Sequence, residues 1–503
     1  MELGFVKLIQ SLYNLFSIQG VGLLFLSVAL GLFIGAMPGL TAVMGVALLT
    51  GLTYYIDIGN ALILLIGVYV GAIAGGSISA ILINVPGTGA AAATLLDGHP
   101  LALKGEAGPT IGLAAISSTL GSFFSMAILF ILTPLLSEFA LKFTSIEIAL
   151  LAIFGILICG SLTSEEMPIK GWISGLLGLL ISYIGMDKIT GYQRFCYDNP
   201  NLLGGVSFIS CMIGLFGVPQ VLSVMESQAH RIVTPIKGSV IPKISYLFQK
   251  MKLILRSGLI GVIIGIVPGV GENVACFVSY DIAKKTSKER ELFGKGSKEG
   301  VIAAETANNA CVGGALIPLL ALGVPGSPVT AVMIGAFLLH NIKPGPLLAL
   351  ESPTIIYDVS AILLMASIVL GILNLSLARI MAKVLQISPA IIMPVVAALC
   401  FIGAYAINLS VFDMKVVLWV GILAYFLRKM DYPPAPMALG IILGPIFDEN
   451  LRRALMGTNG NILPFFTRPI SLFLVMACIF SIVNQSKWLK RQLRNTWKRV
   501  TSR

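Results

Sequence analysis

Charge is scarce in this chain of 503 residues: Asp, Glu, Lys and Arg together make up 11% of it, while 56% is hydrophobic before glycine is counted. Soluble domains run at roughly 25% charged and 45–50% apolar, and one water-soluble core stops growing near about 250–300 residues. A soluble fold would leave far too much apolar surface in water, so that class is excluded. Histidine is scarcer still. His99, His230 and His340 are too few and too dispersed to argue for a metal site. The seven cysteines, Cys159, Cys196, Cys211, Cys276, Cys311, Cys400 and Cys478, form no C-x-x-C pair and stand in mostly apolar segments, which reads them as small core residues rather than reactive thiols. There is no G-x-x-x-x-G-K-[ST] phosphate loop, so nothing suggests nucleotide-driven work. The opening MELGFVKLIQ lacks the basic region and cleavage site of a signal peptide and is expected to stay on the mature protein.

What the chain has instead is long apolar runs. Residues 18–37, 59–83, 107–136, 202–222, 359–378 and 389–409 carry no charged side chain, 146–163 carry only Glu147, and 463–484 only Arg468. A membrane helix needs roughly 20 apolar residues, so these runs and the shorter ones between them predict an all-α polytopic membrane protein of about twelve spans. The net charge of +11 is then a matter of topology rather than of nucleic acid. Residues 486–503 hold Lys487, Lys490, Arg491, Arg494, Lys498, Arg499 and Arg503 with no acid, interleaved with Trp488 and Trp497. The stretch 226–256 holds His230, Arg231, Lys237, Lys243, Lys250, Lys252 and Arg256 against Glu226. Both are expected in the cytoplasm under the positive-inside rule. The chain thus divides into a half at 1–225, a connector at 226–256, a half at 257–485 and a tail at 486–503.

The two halves repeat the same unusual elements in the same order. GLFIGAMPGL at 31–40 answers GLIGVIIGIVPGV at 258–270, pairing Gly35, Pro38 and Gly39 with Gly265, Pro268 and Gly269. After one further span, GGSISAILINVPGT at 75–88 answers GGALIPLLALGVPGS at 313–327, with the glycine pair and the Pro-Gly one residue further apart in the second copy. Both end in Pro-Gly followed by a hydroxyl, Thr88 or Ser327. Pro removes an amide donor and collides with the preceding turn, and freed backbone groups in lipid survive only inside protein or beside a water-filled cavity. Paired breaks of this kind point to a midplane substrate site and to a transporter; kinks and close-packing glycines are the plainer reading. Seven spans before residue 226 make the repeats inverted and put the N-terminus outside the cytoplasm, with broken helices or re-entrant hairpins at the Pro-Gly sites. The side of the charged loop after Tyr280 depends on whether 258–280 cross once or turn back at Pro268.

Half-helix N-termini concentrate positive charge and unpaired N–H groups, which favours an anion such as a carboxylate. Ser77, Ser79, Asn84, Pro86, Gly87 and Thr88 in the first half, and Asn308, Asn309, Pro325, Gly326, Ser327 and Thr330 in the second, are the substrate-site candidates. For the two asparagines, helix–helix hydrogen bonding is an equal alternative. Glu272 and Glu305 are candidates for coupling a proton or Na⁺, with an interfacial position the competing account of Glu305. Lys343 is placed to meet a substrate carboxylate, with snorkelling to the surface the plainer reading. Asp57, Asp97, Asp281 and Asp413 sit at the ends of apolar runs and read as loop or cap residues.

On GAMPGL, GGSISAILINVPGTGAAAATLLDGHPLALKGEAG and the long stretch from GIVPGVGENVACFVSYDIAKK to ALGVPGSPVTAVMIGAFLLHNIKPGPLL, the chain resembles the large membrane (permease) subunit of the tripartite tricarboxylate transporters. The resemblance covers most of residues 20–350. It implies a bacterial inner-membrane secondary transporter, a symporter without cofactor or ATP, coupled to Na⁺ or H⁺. It also implies two partners, a small membrane subunit and a periplasmic solute-binding protein, and a carboxylate substrate met at Asn84 to Thr88, Ala307 to Asn309 and Val324 to Ser327. Lys343 departs from a neutral Gln more frequent there. An uncoupled channel or scaffold subunit competes with this reading. An intramembrane aspartyl protease is a remote third, because its two facing carboxylates have no counterpart among aspartates at span ends.

Overall fold

The computed structural model describes residues 2–162, 167–226, 233–236, 238–242 and 244–485. The basic tail at 486–503, and His230, Arg231, Lys237 and Lys243 of the connector, lie outside the described residues. The described residues are all-α apart from one two-stranded hairpin, Gly185–Met186 against Gln193–Arg194. Among the described residues six helices are long and apolar enough to cross a membrane, and five shorter apolar helices accompany them. The protein is an all-α polytopic membrane protein.

The helices form two compact units, and neither unit is a sequence half. One comprises Met1–Leu141 with Ile209–Tyr425, the other Lys142–Phe208 with Phe426–Arg503. Each half therefore contributes a long stretch to the first unit and a shorter one to the second.

In the first unit, α1 is Glu2–Leu15 and α2 Ile18–Ala36, the latter capped by Ser17, whose Oγ accepts from the Gly20 amide at 2.9 Å. Helix α2 stops where Pro38 and Gly39 follow, Gly39 at φ +103°, a conformation that glycine adopts without Cβ strain. The chain then reverses, so that Gly45 of α3 (Ala42–Leu52) faces Ile34. Helix α4 (Ile58–Ile83) starts at an Asp57 cap, which is the cap duty expected of that aspartate, and is buried from Ala61 to Ile83. It ends at Asn84 in the left-handed region, φ 57°. Residues 84–88 plunge back until the Gly87 amide reaches Gly76 O. A 3₁₀ turn, Gly89–Ala91, leads into α5 (Ala92–Leu101), which returns to the level of Ile81, where His99 Nδ1 lies 3.0 Å from the carbonyl. A long α6 follows, Ala107–Ala140.

The second half repeats this course. Helix α7 (Met251–Ile266) breaks at Val267, Pro268 and Gly269, and α8 (Gly271–Thr286) turns back. Lys250 at the start of α7 pairs with Glu299, and Arg256 Nη1 donates to Thr286 Oγ1 at 2.7 Å at the end of α8. Residues 258–280 therefore turn back at Pro268, and the charged loop after Tyr280 lies on the connector's side. Helix α9 (Lys298–Leu322) ends at Gly323 in the left-handed region, and Pro325 and Gly326 lead into α10 (Pro328–Leu339). The following loop returns to α9 where the Gly345 amide meets Leu320 O at 3.2 Å.

Small residues set the closeness of the paired helices, as in membrane helix pairs generally. Gly31 and Gly35 abut Val68 O and Ala72 O; their counterparts Gly261 and Gly265 abut Ala307 O and Cys311 O. Gly75 meets Leu32 O, and it is Gly314 that meets the matching Val262 O. The second motif thus aligns Gly75 with Gly314, which corrects the register read from the glycine pairs: Pro86 and Pro325 stand equally far from these glycines. On that register Ile81 corresponds to Leu320, the two carbonyls that receive the returning chains. Gly87 packs on Gly35 O and Gly326 on Gly265 O, so closely that a Cβ at either would clash with the carbonyl.

The halves interlock. Helix α3 packs on α10, and α8 packs on the 89–91 turn and α5. Helix α6 embraces α9 and α7, while α11 (Ile355–Val384) embraces α4 and α2. The end of α4 (Ile78, Ile81, Leu82, Ile83) shares an apolar cluster with Val301 at the start of α9, and Leu82 O accepts from Thr234 of the connector. The matched helices α4 and α9 therefore run in opposite senses.

The second unit packs α12 (Pro434–Gly457) against Ser145–Leu162 and Pro168–Ser182, with Gly440 on Gly175 O and Gly178 on Met437 O. Asp187 anchors its hairpin, accepting from Thr190, the Ile189 amide, Arg194 and Arg452. Those bonds, Thr190's first, hold the Asp187 carboxyl well below the usual range. Six of the seven cysteines are buried free thiols, in keeping with core duty; the side chain of Cys159 lies outside the described residues.

Candidate functional site

The site grows from the crossing of α4 and α9 within the first unit. At the crossing Asn309 Nδ2 points to Val70 O at 3.5 Å and donates to Ser122 Oγ at 3.1 Å. Val70 and Asn309 are equivalent positions on the corrected register, so the pseudo-symmetric halves touch here through matched residues. One residue earlier, Tyr69 and Asn308 are also equivalents, and each reaches toward the Pro-Gly break of the opposite half. Tyr69 Oη lies 2.9 Å from Ser327 Oγ and donates to Glu272. Asn308 Nδ2 donates to Ala90 O at 3.3 Å, just past Thr88.

The two breaks are finished differently. Ser327 closes a capping box with Thr330, taking the Thr330 amide at 3.3 Å and giving its own amide to Thr330 Oγ1 at 2.9 Å. With Tyr69 above it, the N-terminus of α10 is satisfied and buried. Thr88 caps nothing, and its Oγ1 is buried without a hydrogen-bond partner, as is Asn308 Oδ1. Gly89 beside it is exposed, with the exposed Asn273 of α8 close enough to meet a Cβ built there. The cause is local: Thr330 supplies the reciprocal hydroxyl in the second break, where the first has Ala91, and Tyr69 reaches Ser327 where Asn308 stops at Ala90 O.

The other expected residues divide by geometry. Ser77 and Ser79 turn their hydroxyls back to Ala74 O at 2.7 Å and Gly76 O at 3.1 Å of their own helix, so their donors are spent there. Asn84 is exposed and serves as the left-handed end of α4, and Pro86 is half-buried beside it. Pro38, Pro268 and Pro325 are buried, and Pro325 O accepts from Gly269 at 3.2 Å, joining the two breaks of the second half. Lys343 is exposed. Glu305 is fully buried, taking a hydrogen bond from Thr94 and one from Ser118 Oγ at 2.8 Å, both on the first half. Asp97 is also fully buried, accepting the amides of Gly294, Gly296 and Ser297 at 2.8–2.9 Å and the Tyr280 hydroxyl at 2.8 Å. Asp281 is exposed and paired with Lys285 one turn on, and Asp413 lies in the first turn of its helix, bonded by Asn408.

Tyr69, Thr94, Ser118, Ser122 and Asn273 were not singled out from sequence. The signals were present but weak: Tyr69 is the one phenol in the charge-free run 59–83, and Asn273 follows the Pro268-Gly269 break by four residues.

Repeated helix breaks, interlocked halves and a buried polar site between them define a polytopic membrane protein of transporter type. Residues 21–439 match the family model described as "Tripartite tricarboxylate transporter TctA family", and the chain belongs to that family. It is similar to an uncharacterized 52.8 kDa protein in the TAR-I ttuC' 3' region of Agrobacterium vitis, at 36% identity over 459 residues, covering 90% of this chain and 91% of that protein. A second protein of the same organism, in the TAR-II ttuC' 3' region, is 39% identical over 215 residues, covering 43% of this chain and 89% of its own length. No solved structure matches. A family of transporters points to transport rather than catalysis.

Proposed function

We propose that this chain is the large membrane subunit of an ion-gradient-driven importer of carboxylates, tricarboxylates or related organic anions, in a bacterial inner membrane. It works with a small membrane subunit and takes its substrate from a periplasmic solute-binding protein. The observation that carries the reading is the first break: an uncapped helix start, an unpartnered Thr88 hydroxyl, and the Asn273 side chain beside Gly89. Helix starts and neutral donors bind carboxylate without a buried countercharge. Glu272 and Glu305 each join the two halves, one through Tyr69 and the other through Thr94 and Ser118. A proton or Na⁺ taken up at either is therefore felt by both halves, which is what coupling requires. The opposed courses of α4 and α9 favour an inverted repeat, with the connector and the C-terminal tail in the cytoplasm.

The test is uptake into proteoliposomes holding both membrane subunits, with the binding protein added and a panel of di- and tricarboxylates. Accumulation that follows a Na⁺ or pH gradient is the expected result. Flux indifferent to both gradients turns the reading into a channel, and no flux of any carboxylate rejects it.

A further inference from the structure

Away from the proposed carboxylate site, the connector-side end of the α7–α8 hairpin holds a polar cavity of about 410 Å³. Four cations line it, Lys250, Lys252, Arg256 and Lys288, against two acids, Glu289 and Glu299. Lys250 and Glu299 neutralise each other as an ion pair, which leaves three cations facing one exposed acid. Arg256 gives one guanidinium arm to Thr286 Oγ1 at 2.7 Å, while its Nε is buried without a hydrogen-bond partner. A buried donor of that strength is costly to leave unmade, and beside an excess of cations an anionic acceptor suits it best.

The surroundings say which anion. Below Lys252 on the same face of α7, Leu255, Leu259 and Ile263 are 49%, 49% and 54% exposed, at spacings of three and four residues that stack them in one stripe. Phe277 and Val278 of α8 are exposed as well. A cationic pocket at the top of an apolar stripe matches a molecule with a charged head and hydrocarbon tails, and basic pockets between membrane helices hold anionic headgroups.

We propose that this pocket binds the phosphate of an anionic phospholipid, with Arg256 Nε and Lys252 on the phosphate oxygens and the acyl chains along Leu255, Leu259 and Ile263. The lipid then rests on the hairpin that carries Pro268, Glu272 and Asn273.

The experiment uses the full chain purified in detergent and probed by native mass spectrometry with added phosphatidylglycerol or phosphatidylcholine. A parallel arm follows thermal unfolding with inorganic phosphate alone. The expected result is retention of phosphatidylglycerol over phosphatidylcholine, with Arg256→Gln lowering occupancy about tenfold, one charge-assisted bond's worth, and Arg256→Lys recovering part of it. Lys252→Gln, at an exposed position where folding is not at stake, lowers occupancy in the same direction. Equal retention of both lipids, or unchanged occupancy in the Arg256→Gln and Lys252→Gln variants, overturns the proposal. So does stabilisation by inorganic phosphate that added phosphatidylglycerol does not exceed, which makes the pocket a site for soluble anions.

Discussion

Thr88 and Ser327 stand at equivalent places, yet only Ser327 caps a helix. Ser327 exchanges hydrogen bonds with Thr330 and also meets Tyr69, whereas the residues equivalent to those two, Ala91 and Asn308, leave the Thr88 hydroxyl without a partner. Substitution separates the two roles. Ser327→Ala removes a cap worth about 1 kcal/mol and lowers the melting temperature. Thr88→Val keeps the shape and removes a hydroxyl that has no partner inside the protein, so stability holds while carboxylate uptake falls by about tenfold or more, as expected for a charge-assisted bond to substrate. Uptake assays and thermal melts on both variants decide it: a Thr88→Val protein that transports normally removes the first break from the substrate path.

At the scale of elements, the joints between the halves are hydrogen-bonded as well as packed. Asp97, in the last turns of α5, gathers three amides of the 294–297 loop and so ties the first half to the start of α9. Asp97→Ala leaves those donors and the Tyr280 hydroxyl unpaired, at about 1–3 kcal/mol for each buried group without a partner. Hydrogen exchange at residues 294–297 should rise sharply in this variant while the end of α4 stays protected. Unchanged exchange at the loop rules out the clamp. Nothing in the sequence announced this role, because Asp97 and Gly294 are remote in the chain and three backbone amides leave no side-chain signature. Proline and glycine act locally, and α2, α4, α7 and α9 end two or three residues before Pro38, Pro86, Pro268 and Pro325. The register of the second motif was misread because glycine pairs look alike; only packing tells Gly313, set against Ser125, from Gly314, set against Val262. Tyr69 was overlooked for a related reason, in that one phenol in an apolar run means little until its partner across the fold is known.

The whole molecule is organised by exchange between halves, with α6 and α11 each embracing the other half's hairpin pair, and this organisation makes a claim about sidedness. Lys104 Nζ reaches Lys295 O at 2.7 Å and Lys298 pairs with Glu106 at 2.6 Å, so the segment after α5 and the loop before α9 share one end, the end of the connector. Tyr54, before α4, and Lys343, after α10, belong to the opposite ends of those helices. An inverted repeat with a cytoplasmic connector then predicts that single cysteines at Lys104 and Lys295 react with a membrane-impermeant maleimide only after the cells are opened. Cysteines at Tyr54 and Lys343 react in intact cells. The native thiols other than Cys159 are buried, and Cys159→Ser completes a quiet background. Labelling of all four positions from one side would mean that α4 and α9 do not traverse the bilayer in opposite directions, and the paired breaks would then lose the alternating access that an inverted repeat provides.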